Sequence, residues 1–119
     1  MKPHQQALPN VENVVVSMEK VAGYALNPHH AAGGNKSKVF ESAFGFTQKN
    51  AQLLVNQIIE NVAAIPATER QMSEFGRVFS VDVPVVGPRG RGYVTTGWIL
   101  KNGENTPRLT SLRVSKGRK

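Results

Sequence analysis

The 119-residue chain contains no cysteine, which excludes disulfide bonds, thiolate nucleophiles and zinc sites built from thiolates. It also has no apolar run near the roughly 20 residues that a membrane-spanning helix needs. Gln5, Gln6 and Asn10 interrupt the N-terminal segment where a signal peptide requires an apolar stretch. We therefore expect a soluble domain that is compatible with a reducing compartment.

Acidic residues are scarce compared with basic ones. Eight Asp and Glu stand against fifteen Lys and Arg, and the formal net charge is +7. This excess favours a polyanionic partner, because each phosphate that a cation neutralises releases counterions. Charge alone does not separate nucleic acid from an anionic membrane surface or an acidic protein, so the class of partner depends on the motifs.

Length and composition predict one folded domain, since 39% of the residues are hydrophobic and 19% are charged. Residues 1–10 carry two prolines and little apolar character, so we expect a leader or linker there and a single domain over residues 11–119. The last five residues, SKGRK, form a basic run that we expect to be a solvated tail.

Two helices are predicted in the first half of the domain. Residues 11–24 indicate a short helix with an irregular end at Gly23, and residues 36–44 indicate a second helix that Gly45 terminates. Four apolar side chains of the second helix are expected in the core: Val39, Phe40, Ala43 and Phe44.

The strongest helical pattern is the segment TQKNAQLLVNQIIENVA, for which Thr47 is a suitable N-terminal cap. Its apolar residues recur with helical spacing and define one face: Ala51, Leu54, Val55, Ile58, Ile59 and Val62. The polar residues Asn50, Gln57 and Asn61 are expected on the opposite face.

After Pro66 the hydrophobic period changes to two. The runs RVFSVDVPVV, GYVTTGWILK and RLTSLRV predict three antiparallel strands, joined by turns at GPRGRG and NGENTP. Helices followed by strands indicate an α+β fold, in which N-terminal helices pack on one face of a small antiparallel sheet. The other face would stay open, and on a basic domain it is a natural surface for a nucleic acid strand.

Alternation along the strands divides the candidate hydroxyl groups between the two faces of the sheet. Thr96 and Trp98 share the apolar face, and Thr95 lies on the other. Thr110 likewise falls on the apolar side, whereas its neighbour Ser111 does not. Simple alternation therefore favours Thr95 and Ser111 for the open face, and a β-bulge would reverse that assignment.

The segment between Asn27 and Lys36 combines adjacent histidines, His29 and His30, with a glycine pair and a lysine. An imidazole transfers protons near neutral pH, a lysine stabilises charge on phosphate, and glycines let the backbone approach an anion. These groups suit phosphodiester cleavage. A surface loop with two solvated histidines is the alternative.

RNA is favoured over DNA as the substrate. RNA supplies its own 2′-hydroxyl nucleophile, whereas DNA hydrolysis has to activate water, usually with a metal ion. Adjacent histidines are poorly placed to share one ion, and no carboxylate pair lies near them in the sequence. We therefore predict an endoribonuclease without a metal site or cofactor.

The runs GYALNPHHAAGGNKSKVFESAFGFTQKNA, FSVDVPVVGP, TTGWILKNG and PRLTSL resemble a domain found at the C-termini of bacterial contact-dependent inhibition and polymorphic toxins. The resemblance implies a fold of the barnase/EndoU/colicin/RelE ribonuclease group, with tRNA as a frequent substrate. As catalytic residues it implies His30 rather than His29, together with Lys36, Thr96 and Thr110. Ala31 departs from the pattern, since a proline is expected after the histidine.

The same resemblance implies a cognate immunity protein, which we expect to be acidic and to cover the positive site. It also implies that the domain is carried at the C-terminus of a large secreted or cell-surface protein and acts in the cytoplasm of the target bacterium. We expect a monomer.

Five side chains are expected to bind RNA: Arg89, Arg91, Trp98, Ser111 and Arg113. Two other functions stay open. One is a nucleic-acid-binding module without catalysis, and the other is a metal-dependent DNase built around His29, His30 and Asn35.

Overall fold

Three helical segments precede a four-stranded antiparallel sheet in the part of the chain that the computed structural model describes, residues 5–30 and 34–115. The helical segments are α1 (Met18–Lys20), which continues as a π-helical turn (Val21–Ala25), α2 (Gly34–Phe44) and α3 (Ala51–Val62). Short 3₁₀ turns occupy Val11–Asn13 and Gln48–Asn50. The strands are β1 (Thr68–Glu69), β2 (Gly76–Gly87), β3 (Gly90–Lys101) and β4 (Arg108–Val114).

The sheet order is β1-β2-β3-β4, with every neighbouring pair antiparallel. Helix α3 packs on β2, and α2 packs on β3 and β4. This arrangement confirms the predicted α+β fold. The short strand β1 was not predicted. No helix of the described residues is long and apolar enough to cross a membrane.

The core lies between the helices and one face of the sheet. Strand β2 contributes the alternating residues that the sequence predicts: Phe79, Val81, Val83 and Val85. Helix α2 buries a narrower stripe than predicted, because Phe40 and Phe44 are buried but Val39 and Ala43 are exposed. Ile59 of α3 is exposed for the same reason. A helix lying on a sheet buries only the side chains that point at it.

The predicted helix over residues 11–24 is wrong in its first half, since α1 begins only at Met18. Val15 instead forms a parallel bridge beside β4, donating its N–H to the Pro107 carbonyl at 2.9 Å and accepting from Leu109 N–H at 3.0 Å. Three successive valines (residues 14–16) disfavour a helix and suit an extended segment beside a strand.

Residues 5–10 pack on the domain, in contrast to the predicted leader. Leu8 is 3% exposed and belongs to the hydrophobic core. The Ala67 N–H donates to the Gln6 carbonyl at 2.8 Å. In the sequence, Ala7 and Leu8 form a two-residue apolar run between Pro3 and Pro9. A run this short did not predict that the segment belongs to the core.

The predicted helix boundaries around Gly45 and Thr47 are confirmed. Gly45 has φ 79°, and its N–H donates to the Glu41 carbonyl at 2.8 Å, which closes the C-terminus of α2. The Thr47 hydroxyl accepts from Lys49 N–H, while the Asn50 side chain accepts from Thr47 N–H at 2.7 Å. This reciprocal capping opens the turn that leads into α3.

Two polar residues of α3 hydrogen-bond the edge of the sheet and do not only face solvent. Gln57 accepts from Val86 N–H at 2.7 Å and donates to the Val86 carbonyl at 2.8 Å. Asn61 donates to the Pro84 carbonyl at 2.8 Å. The outer edge of β2 pairs with β1 over only two residues. Elsewhere this edge is capped by the side-chain amides of α3, and Pro84 has no N–H that would need a partner.

Candidate active site

Thr96 and Trp98 lie in the core, away from any surface that could meet a substrate. Both are 0% exposed. The Thr96 hydroxyl donates to the Val81 carbonyl at 2.8 Å and accepts from the indole N–H of Trp98 at 2.7 Å. This arrangement gives no support to the catalytic role predicted for Thr96 or to the RNA contact predicted for Trp98, because the two side chains satisfy each other inside the protein.

A β-bulge places Thr110 and Ser111 together on the surface. Trp98 pairs with Leu109 and Gly97 pairs with Ser111, so Thr110 is an extra residue in β4. Both hydroxyl residues are exposed, and a side chain on Gly97 would meet the Ser111 hydroxyl at 2.5 Å and that of Thr110 at 3.3 Å. The alternation that assigns Thr110 to the apolar face fails here because the bulge interrupts it.

Thr95 occupies the open face, as strand alternation predicts. It lies opposite Asp82 on β2 and Arg113 on β4. Its hydroxyl donates to the Asp82 carboxylate at 2.7 Å. The helices leave this face of the sheet uncovered. Thr95 and Ser111 make it rich in hydroxyl groups.

His30 is positioned by the end of the α1 segment. The Leu26 N–H bonds to the Val21 carbonyl five residues back at 2.8 Å, which makes the wide turn that carries Tyr24. The Asn27 carboxamide donates to the Gly23 carbonyl at 3.2 Å and accepts from His29 N–H at 2.9 Å. This folds the following loop back over the turn.

The imidazole of His30 lies edge-on against the ring of Tyr24, with 4.5 Å between the ring centroids. The ammonium of Lys36, in the first turn of α2, lies 5.3 Å from the centroid of the same ring. His30 is half-buried, and its neighbour His29 is exposed. The loop and the start of α2 thus bring His30 and Lys36 to one aromatic side chain.

A cavity of about 310 Å³ opens beside His30. Its lining consists of Ser17, Glu19, Lys20, Gly23, Tyr24 and His30. Glu19 and His30 line the same cavity. The sequence analysis did not identify Glu19 or Tyr24 as site residues. The only feature of the sequence that pointed to this region was the irregular helix end predicted at Gly23, which lies between them.

On the other side of Lys36, a groove of about 320 Å³ runs between α2 and β4. Its lining consists of Asn35, Lys36, Val39, Arg113 and Val114. Burial lowers the pKa of Lys36 below its ordinary value, and the nearby charge of Arg113 lowers this pKa further. Neither cation forms an ion pair within residues 5–30 and 34–115. A phosphate between them would relieve their repulsion.

A family model described as "Domain of unknown function (DUF6883)" matches residues 7–116. The chain belongs to the DUF6883 family. No curated protein and no solved structure matches it. The family description names no activity, so the function of this DUF6883 domain has to be argued from its site.

The two arginines predicted in the β2–β3 turn lie in two different places in this DUF6883 domain. The loop is only two residues long, because Gly87 pairs with Gly90, and Arg91 is part of β3. Arg89 N–H donates to the Phe44 carbonyl at 2.9 Å, so it lies beside the C-terminus of the 11-residue helix, about 12 Å along the axis from Lys36. Arg91 lines a separate cavity of about 430 Å³ with Tyr93 and Gln57.

The metal hypothesis gains no geometric support from the described residues, since no group of three His, Asp or Glu side chains among them could hold an ion. Ala31, where the sequence departs from the pattern of the toxin domains, lies outside the residues that the structure describes. Of the predicted site residues, the structure groups His30, Lys36 and Arg113, and it places Thr110 and Ser111 on the open face.

Proposed function

We propose that this domain is a metal-independent endoribonuclease whose site is built on Tyr24, a ring that both His30 and Lys36 approach. The placement of the imidazole and the ammonium about one ring is the observation that carries the proposal. An acid–base group beside a phosphate-binding cation is the minimum that RNA cleavage requires.

The reaction proceeds by attack of the RNA 2′-hydroxyl on its own phosphorus. Glu19 accepts the 2′-hydroxyl proton, and the protonated His30 imidazole donates a proton to the departing 5′-oxygen. The products are a 2′,3′-cyclic phosphate and a 5′-hydroxyl. Lys36 and Arg113 stabilise the charge that develops on the non-bridging phosphate oxygens.

The substrate is RNA, with tRNA as the specific candidate, and the resemblance to contact-dependent inhibition toxins supports that choice. In that context the domain acts in the cytoplasm of a target bacterium, and an acidic immunity protein restrains it. Thr110 and Ser111 contribute hydroxyl groups for phosphate or ribose contacts on the open face that begins beside Arg113. Arg89 and Arg91 remain predicted RNA contacts at a distance from the site.

The decisive test compares His30→Ala with His29→Ala in an RNA cleavage assay that contains EDTA. His30→Ala should lower the rate by about 10²–10⁴-fold, the usual contribution of a general acid–base group. The adjacent exposed histidine is a matched control and should change little. Cleavage that EDTA abolishes, 5′-phosphate ends, or equal effects of the two substitutions would contradict the mechanism.

A binding module without catalysis is the second candidate, because the hydroxyl-rich open face and the Lys36–Arg113 pair suffice for phosphate contacts. It predicts RNA binding with no cleavage by the wild-type protein. In both cases affinity should fall steeply with salt, and Lys36→Ala with Arg113→Ala should flatten that slope. The Arg89→Ala, Arg91→Ala pair should flatten it as well if RNA extends to the hairpin.

A further inference from the structure

The cavity of about 430 Å³ at the hairpin end of the sheet is not used by the proposed cleavage reaction. Its volume falls within the roughly 300–1,000 Å³ range of small-molecule pockets. Its lining combines an aromatic ring, a cation and two side-chain amides: Tyr93, Arg91, Gln57 and Asn61. This combination suits a nucleotide, because a base stacks on aromatic rings and a phosphate binds cations.

The register of β2 and β3 orders the charged groups around the Tyr93 ring. Tyr93 and Arg91 are two residues apart on one face of β3, so their Cα atoms are about 7 Å apart. Asp82 lies opposite Thr95, diagonally next to Tyr93 on the side away from the hairpin. A phosphate is repelled from the Asp82 side and attracted to the Arg91 side. These charges determine the direction in which a nucleotide can lie on the ring.

The groups that a nucleotide would contact are accessible. Tyr93 is 37% exposed. Arg91 is exposed and forms no ion pair within residues 5–30 and 34–115. In the same part of the chain, the side-chain amide of Asn61 makes one hydrogen bond, donating to the Pro84 carbonyl at 2.8 Å. Its second N–H and its carbonyl oxygen therefore remain for a base edge, which asparagine can bond through a donor and an acceptor together.

The cavity also lies near the proposed phosphate contacts. Arg113 pairs with Thr95 across β3 and β4, so Tyr93 is its diagonal neighbour on the open face. Such neighbours lie about 7–8 Å apart. An RNA strand with one phosphate between Lys36 and Arg113 can therefore place a neighbouring nucleotide on Tyr93.

We propose that this cavity is a nucleotide-binding subsite, in which the base of an unpaired RNA nucleotide stacks on Tyr93 and its phosphate binds Arg91. Asn61 contacts the edge of the base. The nucleotide is unpaired because a base inside a helix has its faces covered by its neighbours. Its assignment to an RNA strand rests on the proposed function, whereas binding of a nucleotide here does not require cleavage.

The two tyrosines of the chain allow the subsite and the proposed cleavage site to be observed separately. Tyr93 lies in the cavity and Tyr24 beside His30, so ring-¹³C-labelled tyrosine gives one set of NMR signals for each. Adenosine 5′-monophosphate, added at millimolar concentration to the labelled full chain, should shift the Tyr93 signals upfield, because a stacked base adds its ring current. Ribose 5-phosphate, which lacks the base, should not cause this shift.

Matched variants test the ring and the cation, with affinity followed through the backbone amide signals of ¹⁵N-labelled protein. Tyr93→Leu should weaken binding of adenosine 5′-monophosphate by about tenfold, since the stacking surface is lost. Phe75→Leu makes a similar change at an exposed aromatic residue before β2 and should leave binding unchanged. Arg91→Gln should weaken binding by about threefold or more. Arg89→Gln removes the same charge from a residue outside the cavity lining and should have a smaller effect. Thermal unfolding verifies that each variant is folded.

A tetra-adenylate with 2′-O-methyl groups distinguishes an RNA strand from a free nucleotide, and it cannot be cleaved by 2′-hydroxyl attack. It should bind at least about tenfold more tightly than adenosine 5′-monophosphate, because a second phosphate reaches Lys36 and Arg113 within the same molecule. It should also shift the signals of both tyrosines, since Lys36 lies against the Tyr24 ring.

Three results would overturn the proposal. One is a response to adenosine 5′-monophosphate at Tyr24 alone or at neither tyrosine. The second is an equal effect of Tyr93→Leu and Phe75→Leu, or of Arg91→Gln and Arg89→Gln, which would indicate attraction to overall charge. The third is a tetranucleotide that binds no more tightly than the mononucleotide, which would make a free nucleotide the occupant. Absence of RNA cleavage would contradict the proposed function alone, because neither probe is cleaved.

Discussion

Replacing Thr96 with valine keeps the shape of a fully buried side chain and removes one hydroxyl group. That hydroxyl donates to the Val81 carbonyl and accepts from the Trp98 indole N–H. The substitution leaves the indole N–H without a partner in the core. Because a buried unsatisfied donor keeps its full desolvation cost, the loss should exceed that of an ordinary surface hydrogen bond.

The expected loss in the free energy of unfolding for Thr96→Val is about 2–3 kcal/mol, from one unsatisfied donor and two lost hydrogen bonds. For 119 residues, the entropy of unfolding is about 0.25 kcal/mol/K, so each kcal/mol shifts Tm by about 4 °C. Thr96→Val should therefore lower Tm by about 8–12 °C. Thr95→Val should cost less than about 1 kcal/mol, because water can replace its half-exposed bond to Asp82.

Urea unfolding followed by far-ultraviolet circular dichroism measures these losses without relying on the tryptophan. A double-mutant cycle isolates the shared bond. In the Trp98→Phe background the indole N–H is absent, so Thr96→Val should cost about 1–2 kcal/mol less than it does in the wild type. RNA cleavage per folded molecule should stay near the wild-type rate at a temperature well below Tm.

Additive effects of Thr96→Val and Trp98→Phe would refute the bond between the two side chains. A cost below about 0.5 kcal/mol for Thr96→Val would refute the claim that an unsatisfied donor remains buried. Loss of cleavage by folded Thr96→Val protein would restore the catalytic role that the resemblance implies.

The glycine contacts, the capped edge of β2 and the half-buried Lys36 give three further predictions. Gly76 has φ 155°, and a Cβ there would overlap the Leu100 carbonyl, so Gly76→Ala should cost at least about 2 kcal/mol in urea unfolding. Gln57→Ala with Asn61→Ala uncovers the backbone of β2 and should cause concentration-dependent association, measured by light scattering below Tm. Lys36→Met should raise Tm near neutral pH, because burial and Arg113 disfavour the charged lysine. Since the folded-state pKa of Lys36 is lowered, the wild type gains stability as pH rises through that pKa toward the ordinary value of about 10.4. The advantage of Lys36→Met should therefore shrink over that range.

Each of these variants has a matched control. Gly103 also has a positive φ, 80°, but its Cβ would meet nothing within 4 Å, so Gly103→Ala tests backbone strain alone. Gln52 and Asn56 bond each other on the exposed side of α3, and their double alanine variant should stay monomeric. Lys38→Met removes an exposed lysine of the same helix. Equal behaviour of any variant and its control would contradict the reasoning for that pair.

Sequence patterns predict some residues of the candidate site and not others. The loop with His30 and Lys36 is visible in the sequence because its residue types are unusual together. Tyr24 and Glu19 are not, since their relevance depends on a π-helical turn and on a loop that folds back through Asn27. Strand alternation placed Thr95 and Thr96 on their correct faces and failed at Thr110, where a bulge adds a residue.

The sequence by itself determined that helices precede an antiparallel sheet, the buried face of β2, the ends marked by Gly45 and Thr47, and the positive charge. These features depend on local periodicity, on caps a few residues apart and on composition, all of which are encoded along the chain. Only the tertiary structure decided which polar groups are buried, which edge of the sheet is capped, and which cations meet. Those outcomes depend on residues far apart in sequence, such as Gln57 with Val86 and Lys36 with Arg113, whose proximity arises only when the helices pack on the sheet.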